Sequence, residues 1–385
     1  MRAVIVGGGI VGTAIASRLG ETDREVTLLE RSRIGRETTA ASAGIVMQTA
    51  VEPEPLELRL RERGRSVYRR LFEDDSLEWE RTGALYVAET EAFAERLRRS
   101  AETLEDRGVE ASYLPADDLE RFGLEPGGFV GALHTPNDRV CDPTAVAEWF
   151  ATCARRCGVD VRTGVSVTDV ALGPDGSVSA VETTEGPLEA DRVINATGPW
   201  APILNERAGV SLPLCHTRGP MAALETDAPV ESPVTILESK RYVRPTRGVD
   251  AAVPGECSSL ASDDGSGDAS GAWIGEYLTE YVEGQLYDPA DLRTSREFAG
   301  SASDLADVVP ALEGGSLVDE WIGLRTVTPD GLPLIGETNV DGYLVACGMT
   351  GQGVTIAPAV ADVIARLLDG DLEDETRDRL APERF

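Results

Sequence analysis

Lysine is almost absent from this chain. Lys240 is the single lysine among 36 basic residues, and 67 acidic residues bring the formal net charge to −31. A field this negative repels phosphate backbones and anionic lipids, so nucleic acid and membrane surfaces are excluded as partners. Acid enrichment with so little lysine predicts adaptation to high salt, where self-repulsion is screened. The alternative is an arginine bias from a GC-rich genome combined with an acidic surface.

Cysteine, histidine and long apolar runs are also scarce. The six cysteines form no C-x-x-C pair and only two histidines accompany them, which argues against zinc and indicates free thiols in a reducing compartment. No run of 18 apolar residues occurs, and Gly7–Gly9 interrupt the apolar first 20 residues, which argues against a signal peptide. We therefore expect a cytoplasmic protein with no integral membrane segment. Its 385 residues exceed one ordinary core and predict two domains.

The pattern of apolar residues gives a coarse map of the elements. Helical periodicity predicts helices at residues 13–20, 56–72, 91–107, 145–157 and 355–369. Short apolar runs predict buried strands at residues 3–7, 25–30, 191–198 and 343–347. Residues 255–271 are low in complexity and predict a mobile loop or an insertion.

The first 30 residues carry a glycine motif between two predicted strands. Gly7, Gly9 and Gly12 follow the first strand, and Glu30 ends the second strand eighteen residues after Gly12. In this arrangement the first glycine makes a tight turn, the second lets a pyrophosphate approach the backbone, and the third lets the helix lie on the strand. The helix amino terminus faces the phosphates, and the carboxylate can accept ribose hydroxyls. These residues predict a site for the ADP half of a dinucleotide.

There are two further glycine elements: Asn195–Gly198 ends one predicted strand, and Gly348–Gly353 follows another. A nicotinamide enzyme needs only the first motif, so an NAD-binding protein is the simpler alternative. The strand that ends at Gly198 would pass beside the pyrophosphate, and the helix opened by Gly348–Gly353 could face a second negative charge. A reduced flavin carries such a charge, and a helix amino terminus beside it favours hydride acceptance. The three elements together predict FAD as the cofactor.

These segments resemble the D-amino acid oxidase-like family of FAD-dependent oxidoreductases, which includes glycine oxidase, sarcosine oxidase and D-amino acid dehydrogenase. The resemblance rests on Gly7–Gly12, Glu30, Asn195–Trp200, Arg244-Pro245, Gly323-Leu324-Arg325, Thr328–Gly336, Gly348–Pro358 and Pro382–Phe385. It implies an α/β fold in which a Rossmann-like FAD-binding domain carries an inserted α+β substrate domain with a mixed or antiparallel sheet. We expect the FAD-binding domain to comprise residues 1–80, 140–217 and 316–385, and the substrate domain to comprise residues 81–139 and 218–315.

The resemblance also implies which residues hold FAD. Glu30 would bind the adenosine ribose, and Val165 would pair with adenine through its backbone. Relatives with covalent flavin carry a cysteine near the segment where this chain has Gly323-Leu324, so we expect non-covalent FAD. The residues expected to bind FAD are Gly7, Gly9, Ile10, Val11, Gly12, Glu30, Arg31, Ser32, Ser42, Ala43, Gly44, Val165, Ala196, Gly198, Trp200, Gly323, Gly348, Gly351, Gln352, Gly353, Val354 and Thr355.

Arg325 is the residue that the resemblance assigns to the substrate. In amino acid oxidases of the family an arginine at this place clamps the substrate carboxylate, and a guanidinium fork suits that group. A structural ion pair is the alternative. Tyr242 and Arg244 are weaker candidates for lining the substrate cavity. Sarcosine oxidase-like members of the family use a lysine near the flavin to activate oxygen, and Lys240 is not expected to reach the flavin. The resemblance therefore leaves room for a dehydrogenase with an electron acceptor other than oxygen.

The resemblance finally implies a reaction. The protein would be an FAD-dependent amino acid or amine oxidase or dehydrogenase that converts glycine, sarcosine or a D-amino acid to an imine by hydride transfer to flavin N5. Electrons would pass to oxygen or another acceptor. Two alternatives stay open: a hydroxy-acid or glycerol-phosphate dehydrogenase, and a flavin-binding subunit of a larger dehydrogenase complex. The sequence also leaves open whether the chain forms an oligomer.

Overall fold

The computed structural model of the chain describes residues 1–52, 54–73, 77–247, 270–288, 292, 298 and 304–385. Its helices are α1 (Ile10–Gly20), α2 (Pro55–Glu73), α3 (Glu91–Asp106), α4 (Pro143–Arg156), α5 (Ala201–Arg207), α6 (Gly353–Asp369) and α7 (Asp374–Leu380). Its strands are β1 (Arg2–Val6), β2 (Glu25–Glu30), β3 (Ile45–Val46), β4 (Trp79–Arg81), β5 (Ala84–Ala88), β6 (Ser112–Pro115), β7 (Gly131–Thr135), β8 (Arg139–Cys141), β9 (Asp160–Thr163), β10 (Val167–Leu172), β11 (Val178–Thr183), β12 (Leu188–Glu189), β13 (Arg192–Asn195), β14 (Cys215–Glu225), β15 (Val234–Leu237), β16 (Arg241–Arg247), β17 (Ser270–Glu276), β18 (Ser316–Val327), β19 (Leu334–Glu337) and β20 (Tyr343–Cys347). Of the predicted loop at 255–271, residues 255–269 lie outside the described residues.

The five predicted helices correspond to α1, α2, α3, α4 and α6, with small shifts at their ends. The largest shifts are at amino termini: α1 begins at Ile10 instead of residue 13, and α4 and α6 begin at Pro143 and Gly353, each two residues earlier than predicted. Glycine and proline at these starts carry no apolar signal, so apolar periodicity does not mark them.

A six-stranded sheet with the order β19-β20-β13-β1-β2-β9 brings the three glycine elements together. Val6 pairs in parallel with both Asn195 and Leu29, and Asn195 pairs in parallel with Val345. The carboxyl ends of β1, β2, β13 and β20 therefore lie side by side at one edge. The first glycine motif, the acid Glu30 and the two later glycine elements each lie at or directly after one of these ends. In open parallel sheets, ligands bind in the crevice outside the carboxyl ends of the strands.

Helices α1, α2, α4 and α6 cover one face of this sheet. Helix α1 packs against both α4 and α6, and α2 packs against α6. Ile15 and Leu19 of α1 join Val146 of α4 and Ile364 of α6 in one buried apolar cluster. Within the described ranges, none of the helices combines the length and the apolarity needed to cross a membrane.

The second large sheet has eight strands in the order β18-β14-β17-β16-β15-β5-β7-β6. Its strands pair antiparallel except for β15 and β5, which are parallel, so the sheet is mixed. Together with the first sheet it confirms the predicted fold class. Two small sheets, β10-β11-β12 and β3-β8-β4, complete the strand pairing of the described chain.

The predicted domain boundaries after residue 217 and before residue 316 cut into one strand pair. Strand β18 pairs with β14 from Cys215↔Val327 to Glu225↔Ser316, so residues 215–217 and 316–327 lie in the eight-stranded sheet and not in the six-stranded sheet. Sequence pattern identifies a strand but not its partner, which here lies about a hundred residues earlier in the chain. The division into two domains otherwise stays a prediction.

Candidate active site

A single cavity of about 1050 Å³ runs from the carboxyl edge of the six-stranded sheet to the face of the eight-stranded sheet. Val6 and Leu29 line it from the first sheet, and Met221 and Tyr242 line it from the second. Drug-sized ligands usually occupy ~300–1,000 Å³. The cavity therefore has room for a ligand larger than a typical small molecule.

The first glycine motif leaves no space for side chains at its turn. Gly7 has φ of +111°, and a Cβ there would lie 2.6 Å from the carbonyl oxygen of Ala196. A Cβ on Gly12 would overlap the carbonyl oxygen of Gly7. Strand β1, helix α1 and the end of β13 thus meet at van der Waals distance only because these positions are glycine. Helix α1 has no side-chain cap at Gly9, and its first turn lines the cavity through Ile10 and Val11.

The Glu30 carboxylate is held at the end of β2. Its Oε2 accepts a hydrogen bond from the Gly8 amide at 2.7 Å, and its Oε1 accepts bonds from the Ser32 amide at 2.7 Å and hydroxyl at 3.0 Å. Glu30 lines the cavity, whereas Ser32 orients Glu30 from behind. Beside it the Arg31 guanidinium lies 3.9 Å from the ring centroid of Trp200, and both side chains line the cavity.

The loop before α6 forms the opposite wall. Gly348 and Gly351 have φ of +69° and +81°, and α6 begins with no side-chain cap at Gln352. Thr355 in its first turn accepts a hydrogen bond from the Met47 amide at 3.1 Å and donates one to the Ile45 carbonyl at 3.2 Å. The amino terminus of α6 is thereby tied to the segment that follows Gly44.

Nineteen of the 22 residues predicted to bind FAD line this one cavity. They are Gly7, Gly9, Ile10, Val11, Glu30, Arg31, Ser42, Ala43, Val165, Ala196, Gly198, Trp200, Gly323, Gly348, Gly351, Gln352, Gly353, Val354 and Thr355. Gly12, Ser32 and Gly44 are not among the residues that line it. A Cβ on Gly44 would overlap the Cys141 carbonyl oxygen, so Gly44 serves the packing of the loop on β8. The individual binding roles stay predictions.

The residues present fit FAD. The first turns of α1 and α6 line the cavity, and the N-cap residues Gly9 and Gln352 make no side-chain cap bond, although the Ile10 amide donates to Thr39 Oγ1 at 3.1 Å. Backbone N–H groups at such ends bind anionic groups. The pyrophosphate and the pyrimidine end of a reduced flavin are two such groups. The glycine turn at Gly7, where a Cβ would clash with Ala196, would give the pyrophosphate close access to the backbone.

Arg325 reaches the cavity between two glycines. A Cβ on Gly219 would lie 2.7 Å from the Arg325 Cζ, and a Cβ on Gly351 would lie 2.9 Å from its Cδ. In the described part of the chain, its guanidinium donates to the backbone carbonyls of Arg218 and Glu276, each at 3.3 Å. Burial lowers the pKa of Arg325 from its ordinary value. No carboxylate of the described residues forms the structural ion pair that was the alternative.

Two tyrosines accompany Arg325. Tyr242 is buried, lines the cavity and donates a hydrogen bond to the Met221 sulfur at 2.6 Å. Tyr277 also lines the cavity and was not predicted. Burial raises the pKa of both phenols, so both are neutral donors at physiological pH. Other lining residues missed by sequence reasoning are Met47, Arg61, Tyr86, Met221 and Ile236.

The prediction that Arg244 lines the cavity is wrong. Tyr242 and Arg244 share a face of β16, as strand periodicity requires, but Arg244 lies about 7 Å further along the strand. There its guanidinium packs 4.5 Å from the centroid of the Trp273 ring and is fully buried. Lys240, in contrast, lines the cavity from the turn between β15 and β16, although it was not expected near the flavin.

Comparison with known proteins agrees with this geometry. A family model described as FAD dependent oxidoreductase (DAO) matches residues 2–367. The chain is 26% identical to a D-amino acid dehydrogenase of Methylobacterium nodulans, with 100% of this chain and 99% of that protein covered. It is 25% identical to the mitochondrial sarcosine dehydrogenase of Homo sapiens over 94% of this chain but only 39% of that longer protein.

Solved structures show the same fold. The L-proline dehydrogenase from P. horikoshii superimposes with a TM-score of 0.86 at 23% identity, with 100% of this chain and 97% of that chain covered. The family match spans almost all of the chain and includes every residue of the glycine elements that line the cavity. The chain belongs to the DAO family of FAD dependent oxidoreductases, and FAD is its cofactor.

Proposed function

We propose that the protein oxidises a small amino acid or amine to an imine, which water then hydrolyses. When bound, FAD supplies the acceptor for the hydride that leaves the substrate carbon as the nitrogen lone pair closes the C=N bond. The named relatives support an amine substrate, because D-amino acids and sarcosine both carry nitrogen on the carbon next to a carboxylate.

The observation that carries the proposal is the state of the Arg325 guanidinium. It lines the cavity, it is partly buried, and its two hydrogen bonds to described residues go to neutral carbonyls at 3.3 Å. A partly buried guanidinium that forms no salt bridge favours an anionic ligand, and a carboxylate matches its fork with two charge-assisted bonds. Arg325 would hold the substrate carboxylate and thereby fix the position of the adjacent carbon.

The other residues would shape the site around that carboxylate. Tyr242 and Tyr277 present neutral phenols beside Arg325. The amino terminus of α6 would stabilise negative charge at the pyrimidine end of the cofactor. We propose non-covalent FAD because Cys347, a buried thiol that lines the cavity, has its pKa raised to about 12 by burial and is a poor nucleophile. Retention of the yellow colour in an acid precipitate would contradict this.

The test is anaerobic reduction of the purified holoprotein. Glycine, sarcosine, and both enantiomers of small amino acids are added in turn while flavin absorbance is recorded, beside the corresponding hydroxy acids and glycerol phosphate. Bleaching by an amine supports the proposal. Bleaching by hydroxy acids alone would replace it with the hydroxy-acid reaction, and flavin that no compound bleaches would favour a subunit that works with a partner.

Arg325→Lys and Arg325→Met test the role of the guanidinium. Loss of two charge-assisted bonds at ~1.5–3 kcal/mol each predicts a fall in kcat/KM of about 10²–10⁴ for Arg325→Met. Arg325→Lys keeps the positive charge without the planar guanidinium fork, so its kcat/KM should lie between those of the wild type and Arg325→Met. Arg155→Met, an exposed arginine of α4, is the matched control. Equal activity in all four proteins would refute the assignment.

We further propose that the protein works in a cytoplasm of high salt concentration, with oxygen or another acceptor taking the electrons. The net charge of −31 and the single lysine support this, because salt screens the repulsion among the acidic groups. The melting temperature should rise between 0.2 and 2 M KCl. A melting temperature that falls over that range would contradict the proposal.

A further inference from the structure

Proline interrupts the hydrogen bonding of α6 close to the start of the helix. Pro358 lies inside the helix, four residues after Val354. Proline has no backbone N–H, and its ring presses against the carbonyl of the residue four positions earlier. The Val354 carbonyl therefore lacks the donor that a regular helix would provide. The Gln352 carbonyl, by contrast, accepts a regular bond from the Ile356 amide at 3.1 Å.

The missing donor comes from helix α2. The Tyr68 side chain is fully buried, and its hydroxyl donates to the Val354 carbonyl. Burial raises the pKa of this phenol well above its ordinary value, so the hydroxyl keeps the proton that it donates. Gly64 lies one turn earlier on the same face of α2, and a Cβ there would lie 2.2 Å from the Thr355 carbonyl oxygen. The absence of a side chain at Gly64 therefore lets α2 approach the first turn of α6.

The Val354 carbonyl and the Thr355 amide belong to one peptide group. Thr355 is the third residue of α6, and the amides in the first turn of a helix have no acceptor within the helix. Val354 and Thr355 both line the cavity, whereas Tyr68 does not. A hydrogen bond accepted by a carbonyl polarises its peptide group and strengthens the N–H at the other end as a donor. Tyr68 therefore acts from behind the cavity wall on an amide in that wall.

We propose that Tyr68 is a positioning residue for the reduced cofactor. Its hydroxyl holds and polarises the first turn of α6, and the amides of that turn stabilise the negative charge that FAD gains at its pyrimidine end on reduction. Pro358 is part of the same arrangement, because it makes the Val354 carbonyl depend on the tyrosine. The inference rests on the placement of the pyrimidine end at α6 under the proposed function, and it does not depend on which substrate is oxidised.

The midpoint potential of the bound flavin measures this effect without any substrate. The holoprotein and a reference dye are reduced together with dithionite in the absence of oxygen. Tyr68→Phe removes the hydroxyl and keeps the ring. We expect the equilibrium constant for reduction to fall about three- to tenfold, which lowers the two-electron potential by about 15–30 mV. The dissociation constant of oxidised FAD should stay within about twofold of the wild type, because the oxidised pyrimidine end does not carry the added charge.

Pro358→Ala tests whether the effect passes through the Val354 carbonyl. Alanine restores an N–H four residues after Val354, so the carbonyl regains a donor within the helix. In this background Tyr68→Phe should change the equilibrium constant for reduction by less than about 1.5-fold, or about 5 mV. Pro358→Ala alone should keep the wild-type potential. Tyr343→Phe is the matched control, because Tyr343 is equally buried and its hydroxyl donates to Asn205 at 3.0 Å, but it does not line the cavity. It should lower the melting temperature and leave the potential unchanged.

A shift in potential that Pro358→Ala removes supports the inference. An unchanged potential in Tyr68→Phe overturns it, and so does an equal shift in both backgrounds, since the effect would then not pass through the Val354 carbonyl. If Tyr68→Phe alone retains no FAD, recovery of FAD and of the wild-type potential in the double variant supports the inference, and no recovery overturns it. Failure of every amine to bleach the flavin would count against the proposed reaction alone, because dithionite and not a substrate reduces the flavin in this assay.

Discussion

Replacing Gly219 with alanine would displace the Arg325 guanidinium without removing its charge. Gly219 lies in β14 opposite Gly323, and its φ is outside the left-handed region, so alanine fits the backbone. The new Cβ would lie 2.7 Å from the Arg325 Cζ and 2.8 Å from its Nη2. Carbon and nitrogen atoms in contact are ordinarily about 3.5 Å apart. The guanidinium must therefore move by about 1 Å.

A displacement of this size has a predictable kinetic effect. A misplacement of about 1 Å at a positioning group costs roughly 10²-fold in rate. We expect kcat/KM for the best amino acid to fall by about that factor, with FAD content and melting temperature close to the wild type. Gly127→Ala is the control, since the nearest atom to its Cβ is a Glu125 oxygen at 3.6 Å. If Gly219→Ala keeps kcat/KM within twofold of the wild type, Arg325 does not position the substrate as argued.

Two further substitutions test the packing around the site. Gly12→Ala would push a Cβ into the Gly7 backbone, and neither the strand nor the helix can move without losing packing. We therefore expect at least ~1–3 kcal/mol of destabilisation and little bound FAD, measured as flavin absorbance per chain. Asp138 is buried, and burial raises the pKa of its carboxyl group from 3.8 to about 6 in the folded chain. As pH rises from 4 to 6, this carboxyl ionises in the unfolded chain before it ionises in the folded one, so the free energy of unfolding falls. Asp138→Asn should therefore gain about 3 kcal/mol relative to the wild type between pH 4 and pH 7 in denaturant titrations, and a pH-independent difference would contradict the buried acid.

The sequence predicted the dinucleotide end of the cavity because that end is local. Gly7, Gly12 and Glu30 lie in one strand-helix-strand unit of 30 residues, and their spacing alone fixes their relation. Asn195 and Gly348 were recognised because Asn195 ends the buried strand β13 and Gly348 follows the buried strand β20, and parallel pairing of β13 with β1 and β20 brings these ends to one edge. For this part of the molecule, the strand-helix-strand motif and the two later strand ends almost determine which strands are neighbours.

The substrate end was harder to predict because distant segments build it. Tyr86 comes from β5, Tyr277 follows β17, and Arg61 comes from α2, so no spacing in the chain relates them. The failure at Arg244 has the same cause. Its strand face was predictable, but the Trp273 ring that covers it belongs to the neighbouring strand β17. Periodicity assigns a face to a residue and says nothing about what packs on that face.

The chain has 35 arginines, and their residue type alone does not distinguish a ligand-binding guanidinium from a structural one. The partners do. Arg325 is bonded to neutral carbonyls and forms no salt bridge with a described carboxylate, which suits a carboxylate ligand. Arg61 donates from both Nε and Nη2 to Glu57, which is the arrangement of a structural ion pair. Arginines that line the same cavity therefore differ in their expected roles according to their partners, and one without a salt-bridged carboxylate, such as Arg325, is the one expected to hold a substrate carboxylate.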